Sequence, residues 1–262
     1  MERHGTIRAV RTRWVPRIAF LLALISSTAC REAPREDRLL VLAASSLREA
    51  FTELGAGFEA EHPGVRVELA FAGTQELRAQ VEHGARADVF ASADLAHLEG
   101  LERRGLTEPF AIFARNVPVI VVAPGAPIRS LEDLPSAGRI AVGAPEVPIG
   151  GYAAAILDHA GRRLGHGFRA SVEARIVSRE FNVRQVMAKV ELGEADAGIV
   201  YRTDVRAGVS VVSIPAEFGV EAAYPIAALR DAPHPELARA FVEFVRSEKG
   251  RRILRARGFE VP

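Results

Sequence analysis

The chain has a single cysteine, Cys30. Without a partner thiol it forms no intrachain disulfide and no thiolate metal site, so burial must hold the fold together. Its seven histidines are scattered, without the spacing of a metal site, and none is taken as a ligand. Neither sign of charge is in excess: 34 Lys and Arg face 33 Asp and Glu, for a net charge of +1. Once the arginine-rich leader is removed the balance turns slightly acidic, which argues against a nucleic-acid surface. There is no G-x-S-x-G elbow, H-E-x-x-H pair or Walker loop, so acyl and phosphoryl chemistry are excluded. The chain is therefore not read as an enzyme, and no cofactor is expected.

What is present begins with an export signal. Arg8, Arg11, Arg13 and Arg17 precede the apolar run Ile18-Ala19-Phe20-Leu21-Leu22-Ala23-Leu24-Ile25, which is too short for a stable membrane anchor. Ser27-Thr28-Ala29-Cys30 follows and resembles the bacterial lipoprotein box, although Ser27 replaces the usual leucine. That resemblance implies lipidation of Cys30 and membrane attachment; the other reading is a plain cleaved secretory protein. Residues 1–29 are taken as signal peptide and 30–38 as a polar tether. The mature protein is expected in the periplasm, or held on the membrane facing the periplasmic or extracellular side.

At 262 residues, 48% hydrophobic, the chain is long enough for two modest lobes. Leu39-Leu40-Val41-Leu42-Ala43-Ala44 reads as a buried strand, and the segment from Ser46 to Glu61 as a helix. Strand and helix signals then alternate: strands at 65–71, 87–91, 117–123, 139–143, 173–177, 196–201, 209–214 and 222–229, with helices at 75–82, about 94–104, to about 164, 182–193, 235–246 and 248–257. That alternation indicates βαβ units in an α/β, mainly parallel fold. Residues 39–116 with 216–262 are expected to form a discontinuous first lobe and 117–215 a second, joined by two crossings that act as a hinge.

Four strand-to-helix corners stand out: Ser46, Thr74, Ile149-Gly150 and Asn182-Val183. A helix N-terminus offers free N–H groups and the positive end of a dipole, so such corners suit an anion. In open α/β sheets ligands bind beyond the carboxyl ends of strands, where these corners gather. Plainer readings stand beside this one. Ser46-Leu47-Arg48-Glu49 fits a capping box, Thr74 and Asn182 suit N-caps, and Tyr201 suits a core tyrosine with a bonded hydroxyl. Arg48 and Arg184 read as solvated helix residues, Ser92 as a cap and Asp94 as structural.

Five segments together resemble the periplasmic molybdate-binding proteins of ATP-binding cassette importers. They are Ala43-Ala44-Ser45-Ser46-Leu47, Phe71-Ala72-Gly73-Thr74, the run from Gly84 to Asp94, Val142-Gly143-Ala144-Pro145-Glu146-Val147-Pro148, and Gly198-Ile199-Val200-Tyr201. The resemblance implies a two-lobe periplasmic-binding-protein fold that captures molybdate, and tungstate, and delivers it to a membrane permease. It implies ligand hydroxyls at Ser46, Thr74 and Tyr201 and backbone donors at Ile149 and Val183, with no direct metal ligand. Thr74 stands where many members have Ser, and Ile149 where Ala is common, which narrows the cleft. A monomer is expected. The alternatives are a receptor for sulfate or phosphate, and a ferric-ion receptor; against the latter, Tyr152, Tyr201 and Tyr224 are dispersed in sequence.

Overall fold

Alternating burial along β1 (Asp37–Ala44) gives way to four consecutive buried residues at its carboxyl end. This is the pattern of a strand whose far end is covered on both faces. In the computed structural model, residues 37–165 and 167–262 are described. The export signal, Cys30 and the tether up to residue 36 lie outside them, while Asp37 and Arg38 already belong to β1.

A 3-10 turn (Ser45–Leu47) leads into α1 (Arg48–Glu61), followed by β2 (Val65–Ala72), α2 (Thr74–Glu82), β3 (Val89–Ala91), α3 (Leu95–Arg103) and β4 (Ala111–Asn116). After β5 (Pro118–Val122) come a 3-10 segment (Leu131–Ser136), β6 (Ile140–Gly143), α4 (Pro148–Leu164), α5 (Gly167–Glu173), β7 (Ile176–Glu180), α6 (Val183–Glu191) and β8 (Ala197–Tyr201). A 3-10 turn (Arg202–Asp204), β9 (Ser210–Ser213), β10 (Ala222–Ala228), α7 (Pro235–Arg246) and α8 (Glu248–Ala256) complete the chain.

The strands form two sheets, ordered β2-β1-β3-β10-β4 and β7-β6-β8-β5-β9. In each, the βαβ strands run parallel, and one strand next to a crossing runs antiparallel to both of its neighbours: β10 in the first sheet, β5 in the second. The chain leaves the first sheet between β4 and β5, at Val117, and returns between β9 and β10. Two α/β lobes result. α1 and α7 close the first through a run of edge-on rings, with Phe51 5.6 Å from Phe113 and Phe58 5.2 Å from Phe241. α6 buries Val183, Val186, Met187 and Val190, an i, i+3, i+4, i+7 stripe that sets its N-terminus against the second sheet.

Two elements depart from the sequence expectation. β4 has no counterpart among the expected strands: Ala111–Asn116 pairs with β10, while Pro118–Val122 pairs with β8 and β9. Residues 167–173 are helical, as α5, so β7 starts at Ile176 and not at Glu173. Phe168 and Val172, four apart, were the available helical signal: Val172 is buried and Phe168 packs against the core.

α4 starts in contact with the β6 corner. A Cβ on Gly150 would lie 2.0 Å from the Ala144 carbonyl oxygen, so only glycine lets the helix N-terminus sit this close. Gly150→Ala should therefore lower stability by about 1–3 kcal/mol, as overpacking does. The urea midpoint measures this, and an unchanged midpoint would mean that the approach is not tight.

Candidate functional site

The carboxyl ends of β1, β2 and β8 and the N-termini of α2, α4 and α6 converge between the lobes. They surround a small cavity lined by Ser46, Thr74, Ile149, Val183 and Tyr201 together with Asn182 and neighbouring small residues. All five residues carried over by resemblance thus meet in one place, from both lobes. The cavity is small, about 10 Å³, on the scale of a single small guest.

The local chemistry of the corners differs from simple capping. Ser46 lies inside the 3-10 turn, and no side chain caps that turn or α1, so the capping-box reading of Ser46 and Glu49 does not hold. Its Oγ instead accepts from the Tyr224 hydroxyl at 3.2 Å. Thr74 is the first residue of α2, with Gly73 at the N-cap, and its Oγ1 accepts from the Ala93 N–H at 3.3 Å. Both hydroxyls are buried as acceptors, which leaves a proton on each to donate. Asn182 does cap α6, accepting from the Gln185 N–H at 3.1 Å. Ile149 and Val183 lie in the first turns of α4 and α6, where backbone N–H groups have no intrahelical partner. At the α3 corner the cap is Asp94, which accepts from the His97 N–H at 3.0 Å, while Ser92 donates to the Asp94 carbonyl; Ser92 is not the cap.

Tyr201 does not find the bonded hydroxyl of an ordinary core tyrosine. Its side chain is buried at the end of β8 and its oxygen has no partner. Burial, with the neighbouring Tyr224 and Tyr152 adding to it, holds its pKa well above the usual value, so it is a neutral donor.

The tyrosines that are dispersed in sequence are adjacent in space. Tyr201 lies 6.2 Å from Tyr152 and 5.7 Å from Tyr224, edge-on in both cases, because α4, β8 and the returning β10 meet at the crossings. Their dispersal is therefore no argument against a ferric site. Burial holds the pKa of all three above the usual tyrosine value. Among the described residues no cluster of three or more His, Cys, Asp or Glu could hold a metal ion.

Arg184 is more than the solvated residue its position in the sequence suggests. From α6 its Nε donates to the Ser45 carbonyl at 2.7 Å, and its guanidinium also meets Glu49 of α1. The two anion-type corners at Ser46 and Val183 are clasped by the residues beside them. Gln75 adds a second bridge, donating to the Phe181 carbonyl at 2.8 Å. Arg48, by contrast, is exposed and lies over the Phe71 ring. Neither Arg184 nor Tyr224 had a motif to announce it; an arginine just inside a helix start and one large polar ring in an otherwise small-residue strand were the only signs.

Donors from two lobes around a space for one small ion, with no nucleophile and base beside it, describe a receptor for a solute. The comparisons with known proteins agree. Residues 39–260 match the family model of bacterial extracellular solute-binding proteins, and the chain belongs to that family. It is 43% identical over 231 residues, covering 86% of this chain and 85% of the relative, to the molybdate-binding protein ModA of Mycobacterium tuberculosis. The periplasmic molybdate-binding protein of Azotobacter vinelandii shares the fold, with a TM-score of 0.75 at 22% identity over 86% of this chain and 99% of that one. So does the sulfate-binding protein SubI of Mycobacterium tuberculosis, at 0.78 and 19% over 86% and 87%. The resemblance read from the five segments thus holds along most of the mature chain. The fold by itself does not select the anion. The chain is a solute-binding protein and not an enzyme.

Asp204 follows the Tyr201 strand and is buried, with Oδ2 unpartnered and Arg184 Nε 4.0 Å from Oδ1. Burial pushes its pKa up to about 7 against the opposing pull of Arg184, with Glu49 adding to the rise and Arg206 opposing it. Below the ordinary carboxylate range both folded and unfolded chains hold this proton. Between that range and about 7 only the unfolded chain has released it, so each unit of rising pH removes up to about 1.4 kcal/mol of stability. Above about 7 the loss is complete. Asp204→Asn should flatten the stability profile between pH 5 and 7 in urea titrations, and an unaltered slope would mean the carboxylate is already ionised in the folded protein.

Proposed function

We propose that this protein captures molybdate, and tungstate with it, in the cavity between the lobes and delivers it to the membrane permease of an ATP-binding cassette importer. The observation that carries this reading is the convergence of Ser46, Thr74, Ile149, Val183 and Tyr201, from separate segments of both lobes, on one small cavity. The sequence similarity to a molybdate-binding protein supports the same choice. In this reading Ser46, Thr74 and Tyr201 donate hydroxyl protons, and Ile149 and Val183 donate backbone N–H groups. The anion is held without a full positive charge at its oxygens, so hydrogen-bond geometry, not net charge, does the selecting. A smaller tetrahedron such as sulfate cannot reach donors fixed on two lobes all at once. The first lobe is taken as 39–116 with 216–262 and the second as 117–215, closing on the ion as a monomer. The mature protein works outside the cytoplasm, either free in the periplasm or lipid-anchored.

Ligand bound only to the folded state adds about 4 kcal/mol at a thousandfold excess over Kd. A melting screen should therefore show a large shift with molybdate and tungstate and little with sulfate or phosphate; an equal shift with sulfate would reassign the anion. Ser46→Ala and Thr74→Val should each cost roughly 1.5–3 kcal/mol of binding, or about ten- to a hundredfold in Kd. Val183→Ala should cost little, since alanine keeps the N–H. Tyr201→Phe separates binding from folding: it should weaken binding by a similar factor, yet leave the ligand-free protein as stable or more so, because it deletes a hydroxyl that has no partner there. Ser46→Ala binding like the wild type would displace the site.

Attachment to the membrane through Cys30 is tested separately. The wild type should carry lipid by mass spectrometry and sediment with membranes, and Cys30→Ser should do neither; a wild type without lipid would make the protein a free periplasmic one.

A further inference from the structure

Tyr224 lies next to the site but does not line the cavity. It stands on β10, buried, with its ring held edge-on by Tyr201 at 5.7 Å, Phe259 at 5.4 Å and Phe113 at 6.4 Å. Rings on several sides leave it little freedom to swing, so its hydroxyl is fixed where it meets Ser46 Oγ, 3.2 Å away.

We propose that Tyr224 is a positioning residue for the anion site: by donating its proton to Ser46 Oγ, it turns the Ser46 hydroxyl proton toward the cavity before any anion arrives. This rests on the reading of Ser46 as a ligand donor.

The Tyr224 hydroxyl donates and Ser46 Oγ accepts, and a serine oxygen that accepts has its own proton left to donate outward. Each bond in such a chain polarises the next and strengthens the last donor. The chain starts on β10, the strand that follows the second crossing, and ends at the cavity that Ser46 lines, so the donor state of Ser46 is prepared by β10 and not by its own turn.

The test is a double-mutant cycle read by calorimetric titration. The wild type is titrated with molybdate and with sulfate, and whichever binds serves for the variants. Tyr224→Phe keeps the ring and its packing. It should weaken binding roughly three- to tenfold, the worth of one neutral hydrogen bond, with the urea midpoint of the ligand-free protein falling far too little to account for it by unfolding. In the Ser46→Ala background the same Tyr224→Phe change should have no further effect on Kd. A purely structural tyrosine would weaken binding equally in both backgrounds, and that additive result would overturn the proposal; so would unaltered affinity in Tyr224→Phe alone. If Ser46→Ala itself binds like the wild type, the reading of Ser46 as a ligand donor fails, and the role of Tyr224 fails with it.

Discussion

A hydroxyl buried without a partner costs folding free energy, on the order of 1–3 kcal/mol, and Tyr201 carries one at the place where the two lobes meet. The surrounding groups do not relieve it. Ser46 and Thr74, the first-lobe hydroxyls that line the same cavity, already accept bonds from Tyr224 and from the Ala93 N–H. The helix starts at Ile149 and Val183 add donors and no acceptors. The cavity is therefore lined by several groups with protons to give. A guest that only accepts, and accepts from several directions at once, resolves the imbalance, which is the physical content of an oxyanion receptor.

That imbalance would be lost if the corners moved apart, and the contacts next to them hold them together. Arg184 reaches from the second residue of α6 to the carbonyl of Ser45 and to Glu49. Gln75, one residue past Thr74, reaches the carbonyl of Phe181, next to the α6 cap. Neither side chain has to touch the ion to matter, since each fixes the separation between a donor on one lobe and a donor on the other. A positive guanidinium at 20% exposure also lies close enough to favour negative charge nearby, while the carboxylate of Glu49 offsets it. The neighbourhood stays close to neutral, so selection falls to geometry.

Backbone proximity does the rest. Gly150 allows α4 to begin against the Ala144 carbonyl. At Gly73 a Cβ would meet the Phe181 carbonyl at 2.4 Å, so the first-lobe corner can approach the second lobe only because it has no side chain. β10 then brings a single large polar ring, Tyr224, to within reach of Ser46 from a part of the chain 178 residues away.

Much of this was legible in the sequence because it is local. Apolar runs ending in small residues and hydroxyls mark strand-to-helix corners, and Ser46, Thr74, Ile149, Val183 and Tyr201 were named from such corners and from the resemblance they carry. The α/β class followed from the alternation of periods, and the two sheets followed its order. What the sequence could not decide were the relations between distant segments. The capping box at Ser46 was locally sound, yet a tyrosine from another strand took up the serine oxygen. The three tyrosines looked dispersed because sequence separation says nothing about which strand ends adjoin; Tyr201 meets both of the others edge-on. Arg184 looked solvated because its partners, Ser45 and Glu49, are more than a hundred residues away. Local propensity determined the corners and their chemistry, and only tertiary contact between distant segments decided which proton each hydroxyl keeps to give.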